Sequence, residues 1–477
     1  MKVFKLRSRK ITVWQSIKGN LRTSLNIFSI SGVNYTTYDP KRSLLERLFW
    51  AAIILAMASL ATWQGLKVYT HYLERPVIVT MDNAYFEWEL FFPTATLCFQ
   101  DLKSKSVLRG LFQTYDTKYN YSDNSIDEFL SYINDLAFKN YLNYEDYEPY
   151  ANGIKKEYLQ PEDYMQVLDA AVYTLKFEKP KPGRSVNYPV IFPLNTTRPV
   201  IRVFTEWGPC MVANANISIF YSPQYFNSTK AYTDYQPVKY SANTMATIGV
   251  KASSSKPLYI YIHSPNEVPD ILDKKSVVIS QSYKKTKYEA EAVFTTDDVL
   301  PLTIKQKNCR LPYEPNVEPL RHSPVYSNNL CKYECRIILA LKYCNCTPYY
   351  YRRLPYEPIC NFTGLYCLSK YKDEFIHMTN VPKECPNCVQ NCDITIYRET
   401  NIESEAEFIQ KIFSMTLTFP QKRFLRTLIF NKIDLTVQIG GIFGLFLGSS
   451  LLSLVEIIYV LTIRQFFGIK NRNTEVT

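Results

Sequence analysis

The sequence lacks the residue patterns that most enzymes use for catalysis. It contains only four histidines among 477 residues, and they form no cluster that could bind a metal ion. It has no Gly-x-Ser-x-Gly nucleophile elbow and no phosphate-binding loop. We therefore expect no enzymatic activity, no metal site and no cofactor.

Net charge is also missing from most of the chain. The formal net charge is +11, but residues 1–47 contribute +8 of it and residues 464–477 contribute +2. The long central part between them is left nearly neutral. Because the excess is confined to two short ends, a diffuse basic surface for nucleic acid is excluded. The basic ends instead favour contact with an anionic membrane surface.

Long apolar stretches occur only twice. Leu48–Leu66 runs for 19 residues without a charge and has Trp50 and Trp63 near its ends. Residues 435–463 contain one charged residue, Glu456. About 20 apolar residues cross the hydrocarbon core of a bilayer, and tryptophan favours its edges. We therefore predict two membrane-spanning helices, the second long enough to tilt or break.

The flanking charges predict one orientation for these helices. Lys and Arg prefer the cytoplasmic side, and the outer flanks of both apolar stretches are basic. We therefore expect a multi-pass protein of the plasma membrane with both termini in the cytoplasm. The expected segments are a cytoplasmic N-terminal segment 1–47, transmembrane helix 48–69, extracellular domain 70–434 with a cysteine-rich part 309–392, transmembrane helix 435–463, and cytoplasmic tail 464–477.

The twelve cysteines all fall in the expected extracellular domain. Disulfides persist outside the cell and are rare in the cytosol, so this distribution agrees with the orientation. Cys344-x-Cys346 and Cys385-x2-Cys388-x3-Cys392 have spacings that zinc sites also use. The oxidising compartment and the scarcity of histidine favour disulfides over zinc.

Sequons for N-linked glycosylation lie in the same domain. The expected acceptors are Asn120, Asn195, Asn216, Asn227 and Asn361. A further sequon begins at Asn345, but it stands between two cysteines, and we expect it to be a poor acceptor.

The extracellular domain divides by cysteine density. Residues 70–308 contain two cysteines, and the 84 residues from 309 to 392 contain ten. The first part must therefore bury a core, while the second depends on cross-links. Periodicity predicts an amphipathic helix over 126–142 and a second helix over 330–343 after Ser327. Strands are predicted at 200–204, 258–263, 277–280 and 302–305. The mixture predicts an α+β domain.

The second apolar stretch is unusually polar for a membrane anchor. On one straight helix, Gln438, Ser449, Ser453 and Glu456 fall within a stripe of roughly 60°. A carboxylate is costly against lipid, so this stripe should face protein or water, and we expect Val437, Gln438, Ser453 and Glu456 to line a pore. Close packing of small residues would explain the glycines but not this stripe. One such helix cannot enclose a pore, so a channel would need an oligomer.

Four parts of the sequence carry distinctive motifs: residues 92–98 (FPTATLC), 261–269 (YIHSPNEVP) and 440–450 (GGIFGLFLGSS), and the spacing Cys331-x3-Cys335-x8-Cys344-x-Cys346. Together they resemble the degenerin/epithelial sodium channel family, and within it the insect pickpocket subunits. The resemblance implies a trimeric, sodium-selective, amiloride-sensitive cation channel, homomeric or heteromeric. Its ectodomain would have the palm, thumb, finger, knuckle and β-ball parts of that family.

The resemblance also implies roles for individual residues. It assigns the selectivity filter to Gly448, Ser449 and Ser450, and the lower pore carboxylate to Glu456. It implies the disulfides Cys98–Cys210, Cys309–Cys392, Cys331–Cys388, Cys335–Cys385, Cys344–Cys367 and Cys346–Cys360.

Three positions depart from the family pattern. The cytoplasmic His-Gly gating motif is here Ser31-Gly32, which puts its usual contribution to gating in doubt. Val437 stands where family members usually carry a small residue and where bulky residues favour the open state, so we expect unusual gating with some constitutive activity. Ser449 replaces a frequent alanine and should preserve cation selectivity.

Two other classes share parts of this description. A two-span, glycosylated cell-surface receptor or scavenger would have the same topology and disulfides but no need for a polar stripe in its second span. A trimeric ATP-gated channel has a similar topology but matches the motifs less well. The sequence does not identify an extracellular ligand or the stimulus that opens such a channel.

Overall fold

The structure is a computed structural model. It describes residues 31–36, 43–74, 76–121, 126–173, 200–226, 239–240, 246–252, 256–279, 282–314, 317–378, 383, 385–406, 411–420 and 422–461. The sequons at Asn195 and Asn227, most of segment 1–47 and the tail 464–477 lie outside these residues.

The helices and strands alternate along the chain. The helices are α1 (Val33–Thr36), α2 (Leu44–Glu74), α3 (Lys105–Tyr119), α4 (Ile126–Phe138), α5 (Glu148–Ala151), α6 (Tyr164–Ala171), α7 (Pro223–Phe226), α8 (Ile304–Lys307), α9 (Asn328–Cys344), α10 (Phe362–Ser369), α11 (Lys372–His377), α12 (Lys432–Leu447) and α13 (Leu451–Leu461). The strands are β1 (Val77–Asp82), β2 (Leu90–Phe91), β3 (Thr94–Phe99), β4 (Ile201–Thr205), β5 (Gly208–Ala213), β6 (Lys239–Tyr240), β7 (Ala246–Ala252), β8 (Leu258–His263), β9 (Ser276–Val278), β10 (Ser282–Thr295), β11 (Ile394–Ala406), β12 (Lys411–Thr418) and β13 (Arg423–Leu428).

The chain forms two units. One comprises Met1–Ile78, Lys305–Lys307 and Leu428–Thr477, and the other comprises Val79–Ile304 and Asn308–Thr427. We call the first the membrane unit, because it contains both apolar stretches, and the second the ectodomain.

In the membrane unit, α2 is the one described helix that is long and apolar enough by itself to span a bilayer. Its 31 residues extend about 46 Å at 1.5 Å per residue. The second apolar stretch forms two shorter helices, α12 of 16 residues and α13 of 11 residues. Helices α2 and α12 lie side by side, and Gly65 faces the ring of Phe443. The small residue lets the two backbones approach closely.

The ectodomain is built on two larger sheets. A five-stranded sheet has the order β4-β5-β3-β8-β9, and its neighbouring strands are all antiparallel. A six-stranded sheet has the order β1-β13-β10-β12-β7, with β11 also paired to β10. The long strand β10 runs antiparallel to β11 and parallel to β12 and β13. Together with the helices, these sheets confirm the predicted α+β ectodomain.

Tyrosine and phenylalanine fill much of the ectodomain core. Phe362, the first residue of α10, stacks on Tyr132 at 4.6 Å and lies 4.4 Å from the ring of Tyr147. All three residues are fully buried. Aromatic pairs at such distances stabilise a core beyond the area that they bury. The contact fixes the start of α10 against the helices that precede the cysteine-rich part.

The cysteine-rich part is organised by α9. Ser327 caps the helix, since its side chain accepts a hydrogen bond from the backbone N–H of Leu330 at 3.1 Å. This confirms the predicted helix, which begins at Asn328, two residues earlier than predicted. Six disulfides link the twelve cysteines, and they are the pairs that the family resemblance implies. They are Cys98–Cys210, Cys309–Cys392, Cys331–Cys388, Cys335–Cys385, Cys344–Cys367 and Cys346–Cys360.

Two sequence predictions about local structure are wrong in part. The helix predicted over 126–142 ends at Phe138, because the side chains of Asn140 and Asn143 accept backbone hydrogen bonds in the turn that follows. The strand predicted at 302–305 overlaps a single helical turn, α8. Asn308 closes this turn in the left-handed region, with φ at 49°.

Candidate functional site

The second apolar stretch is interrupted at Gly448. Asn431 caps the start of helix α12 and forms a capping box with Asp434. It ends at Gly448, which has φ at 63° and donates its N–H to the carbonyl of Gly444 at 2.9 Å. Because glycine reaches the left-handed region without steric cost, this position ends the helix.

Serines organise the chain after the interruption. The N–H of Ser453 donates to Oγ of Ser450, and the N–H of Ser450 donates to Oγ of Ser453. This reciprocal pair satisfies backbone donors at the start of α13. Ser449 stands between the two helix ends, and its hydroxyl donates to the carbonyl of Phe443 at 3.1 Å. The segment 448–450 therefore brings hydroxyls and peptide groups together within an otherwise apolar stretch.

The predicted gating motif lies against this interruption. The N–H of Ser31 donates to the carbonyl of Leu447 at 3.2 Å. A side chain at Gly448 would collide with the Oγ of Ser31 and would lie 3.2 Å from its Cβ. Ser31 therefore occupies the space that the missing side chain of Gly448 leaves open.

Gly32 packs against helix α2. It has φ at 87°, and a Cβ on it would lie 3.5 Å from Trp50 and from Ile54. The ring of Tyr35 stacks on Trp50 with 4.8 Å between centroids. No sequence pattern assigned Trp50, Ile54 or Tyr35 to this site. The sequence signal that could have indicated these contacts is Gly32 itself, because glycine permits close approach of the backbone to neighbouring groups.

The interruption changes the predicted polar stripe. The predicted stripe places Gln438, Ser449, Ser453 and Glu456 on one side of a single straight helix. Because the helix is interrupted at Gly448, the prediction of a single polar stripe is wrong. Val437 and Gln438 lie exposed on α12, whereas Ser453 on α13 is only 2% exposed and is engaged with Ser450. Glu456 lies half-buried on α13. The described residues contain no group of His, Cys, Asp and Glu with the geometry of a metal site.

A second cluster of interest lies in the ectodomain, where His322 stands between two carboxylates. Its Nδ1 is 2.9 Å from Oε1 of Glu334, and its Nε2 is 3.0 Å from Oε1 of Glu357. All three side chains are buried. Burial alone would lower the pKa of His322, but hydrogen bonds and charge from Glu334 and Glu357 outweigh it and raise that pKa.

This arrangement predicts that alkaline conditions destabilise the ectodomain. Since its folded pKa lies above its unfolded pKa, His322 stabilises the fold fully below pH ~6.5 and loses that contribution as the pH rises through its folded pKa. We expect His322→Gln to cost about 3 kcal/mol at pH 6, because two buried carboxylates lose their partner, and less at pH 9. Thermal unfolding of the detergent-solubilised protein across this range measures both.

The control for this prediction is His377→Gln. His377 is exposed at the end of α11, so its replacement should leave the pH dependence unchanged. Parallel stability curves for wild type and His322→Gln would show that His322 carries no pH-dependent stability.

Comparisons with known proteins identify a family to which the chain is similar. Residues 25–460 match the model of a protein family described as amiloride-sensitive sodium channel. The chain is 23% identical to Pickpocket protein 28 of Drosophila melanogaster over 94% of its own length and 79% of the relative. It is 22% identical to Sodium channel protein Nach of the same species, over 91% of the chain and 85% of the relative. The Nach protein of Drosophila ananassae is also 22% identical, over 94% of the chain and 88% of the relative.

Proposed function

We propose, because the chain belongs to the amiloride-sensitive sodium channel family, that it is one subunit of a trimeric, sodium-selective cation channel gated through its ectodomain. The channel would carry Na⁺ passively across the plasma membrane and be blocked by amiloride. Its partners would be identical or related subunits and the lipid bilayer, with both chain termini in the cytoplasm.

The interruption at residues 448–450 is the observation that carries this proposal. A simple membrane anchor satisfies its backbone by remaining helical, since unpaired peptide groups are costly in lipid. Irregular backbone within the hydrocarbon core of a membrane is tolerated where it lines a water-filled path. In such a path, backbone carbonyls and side-chain hydroxyls can replace water around an ion. The break in the second apolar stretch therefore supports a pore better than an anchor.

The proposal gives each residue of the site a role. Gly448, Ser449 and Ser450 form the selectivity filter where the copies meet around an axis. Val437 and Gln438 line the pore on the α12 side, and Glu456 supplies the pore carboxylate on the α13 side. Ser453 acts by capping α13. Ser31-Gly32 supports the filter through Leu447 and Gly448.

The alternative is a two-span receptor or scavenger without a pore. Such a protein would share the disulfides and the expected glycosylation. It would have no use for a helix break that brings hydroxyls and peptide groups together within an apolar stretch, so the break favours the channel.

Voltage-clamp recording tests the proposed function. We expect inward current in cells that express the chain, alone or with related subunits, with loss of current when Na⁺ is replaced by N-methyl-D-glucamine or when amiloride is added. Labelling of the protein at the cell surface is the control for expression. Surface protein without current in any subunit combination would contradict the channel and favour the receptor.

The same recordings test the role of Val437. Val437 is 66% exposed on α12, where it is available to contact another copy of the chain. If its bulk favours the open state, Val437→Ala should lower the basal current relative to the current that a stimulus or a related subunit evokes. An unchanged basal fraction would contradict this role.

A further inference from the structure

Three sequons surround a single groove on the ectodomain. The groove has a volume of about 940 Å³, and Asn120, Asn345 and Asn361 all line it. Two disulfides, Cys344–Cys367 and Cys346–Cys360, hold the last two of these residues close to each other in the fold. Acceptors that are far apart in sequence therefore share one surface.

Asn120 and Asn345 occupy equivalent positions at helix ends. Asn120 ends α3 with φ at 49°, and Asn345 ends α9 with φ at 53°. The backbone N–H of each closes its helix, so neither side chain is needed for the cap. Both residues are exposed. The structure therefore removes the objection to Asn345 that its neighbouring cysteines suggested.

Asn361 caps α10 with one atom of its side chain. Its Oδ1 accepts a hydrogen bond from the N–H of Gly364 at 2.9 Å. A glycan attaches to Nδ2, so modification leaves this cap in place. Asn361 is exposed although the next residue, Phe362, is buried in the aromatic core. The acceptor is therefore both accessible and rigidly held.

Asn216 differs from these three. Its Nδ2 donates to Oδ1 of Asn266 at 2.8 Å, and Asn266 is buried. A sugar on Nδ2 of Asn216 would crowd the buried Asn266 that this nitrogen contacts, so the folded ectodomain does not accommodate it.

We propose that Asn120, Asn345 and Asn361 carry N-linked glycans, that Asn216 does not, and that the groove is a glycan-covered outer face. In the modification, a bond forms between Nδ2 and C1 of the first sugar. The bond between that C1 and the pyrophosphate oxygen of a lipid-linked oligosaccharide donor breaks, and Nδ2 loses one proton. Because glycans are bulky and hydrated, the groove is excluded from contacts between subunits. This last step rests on the proposed oligomer.

Mobility of the full-length chain on a denaturing gel tests the acceptors. Asn195 and Asn227 are first replaced by Gln, so that the remaining shifts report on the described sequons. Each of the variants Asn120→Gln, Asn345→Gln and Asn361→Gln should then remove one glycan, and peptide-N-glycosidase F should abolish the differences. Asn216→Gln should leave the mobility unchanged. A missing shift among the three, or a shift for Asn216→Gln, would overturn the assignment.

Digestion of the intact oligomer tests the outer face. We expect peptide-N-glycosidase F to release the three glycans under native conditions without dissociating the assembly. Glycans that are removed only after denaturation would show that the groove is covered by protein. Neither readout depends on sodium current, so failure of this proposal is distinguishable from failure of the proposed channel.

Discussion

Replacement of Gly448 by alanine should reduce the sodium current roughly tenfold or more while the protein still reaches the cell surface. The left-handed conformation costs a residue with a Cβ about 1–2 kcal/mol, and φ at this position is 63°. The added methyl group would also collide with the Oγ of Ser31. Both effects displace the carbonyl and hydroxyl groups of the proposed filter. Current per surface-labelled channel is the measurement.

Two further variants make this prediction specific. In Gly440→Ala, on the same helix, the added Cβ meets no described atom within 4 Å beyond its chain neighbours and its own helix backbone, so the current should be retained. Adding Ser31→Gly to the Gly448→Ala variant removes the collision but not the backbone strain, and should restore part of the current. Wild-type current in Gly448→Ala alone would contradict the role of Gly448, whereas no recovery in the double variant would contradict the contact with Ser31.

The parts of the fold that the sequence predicted are those with strong local signals. Helix α9 was predictable because Ser327 caps it and its apolar residues recur at helical spacing. Strand β8 was predictable from its run of β-branched and aromatic residues, and the structure places it at Leu258–His263 as predicted. The break at Gly448 was harder to predict from the sequence, because its apolar neighbours suit one continuous helix. Only the left-handed backbone of Gly448 and the hydrogen bonds between Ser450 and Ser453 rule out that continuous helix.

Contacts between distant segments could not be predicted. Glu206 and Arg336 are 130 residues apart, and Asp270 and Arg336 are 66 apart. Each of the three charged residues would ordinarily be assigned to the surface, since charged side chains are rarely buried without a partner. Their burial depends on the assembled fold. The sequence pattern of one segment contains no information about the partner that another segment supplies.

Arg336→Met should prevent the ectodomain from folding and keep the chain from the cell surface. The side chain of Arg336 is 1% exposed and contacts Glu206 at 2.5 Å and Asp270 at 2.7 Å. It also donates to the carbonyl of Phe375 at 2.8 Å, so it joins α9 to three other segments. Breaking a buried ion pair from one side costs about 3–5 kcal/mol, because the remaining charge is left unpaired. That is a large share of the roughly 5–15 kcal/mol that stabilises a typical domain.

Lys332→Met supplies the matched control for Arg336→Met. Lys332 lies one turn earlier on α9 and pairs with Asp270 at 3.1 Å, but its side chain is 32% exposed. Partly solvated pairs contribute about 1 kcal/mol or less, so this variant should reach the surface. If the unpaired carboxylates cause the defect of Arg336→Met, then adding Glu206→Gln and Asp270→Asn should restore part of the surface expression. Equal surface expression of Arg336→Met and Lys332→Met would show that the buried cluster is not required for folding.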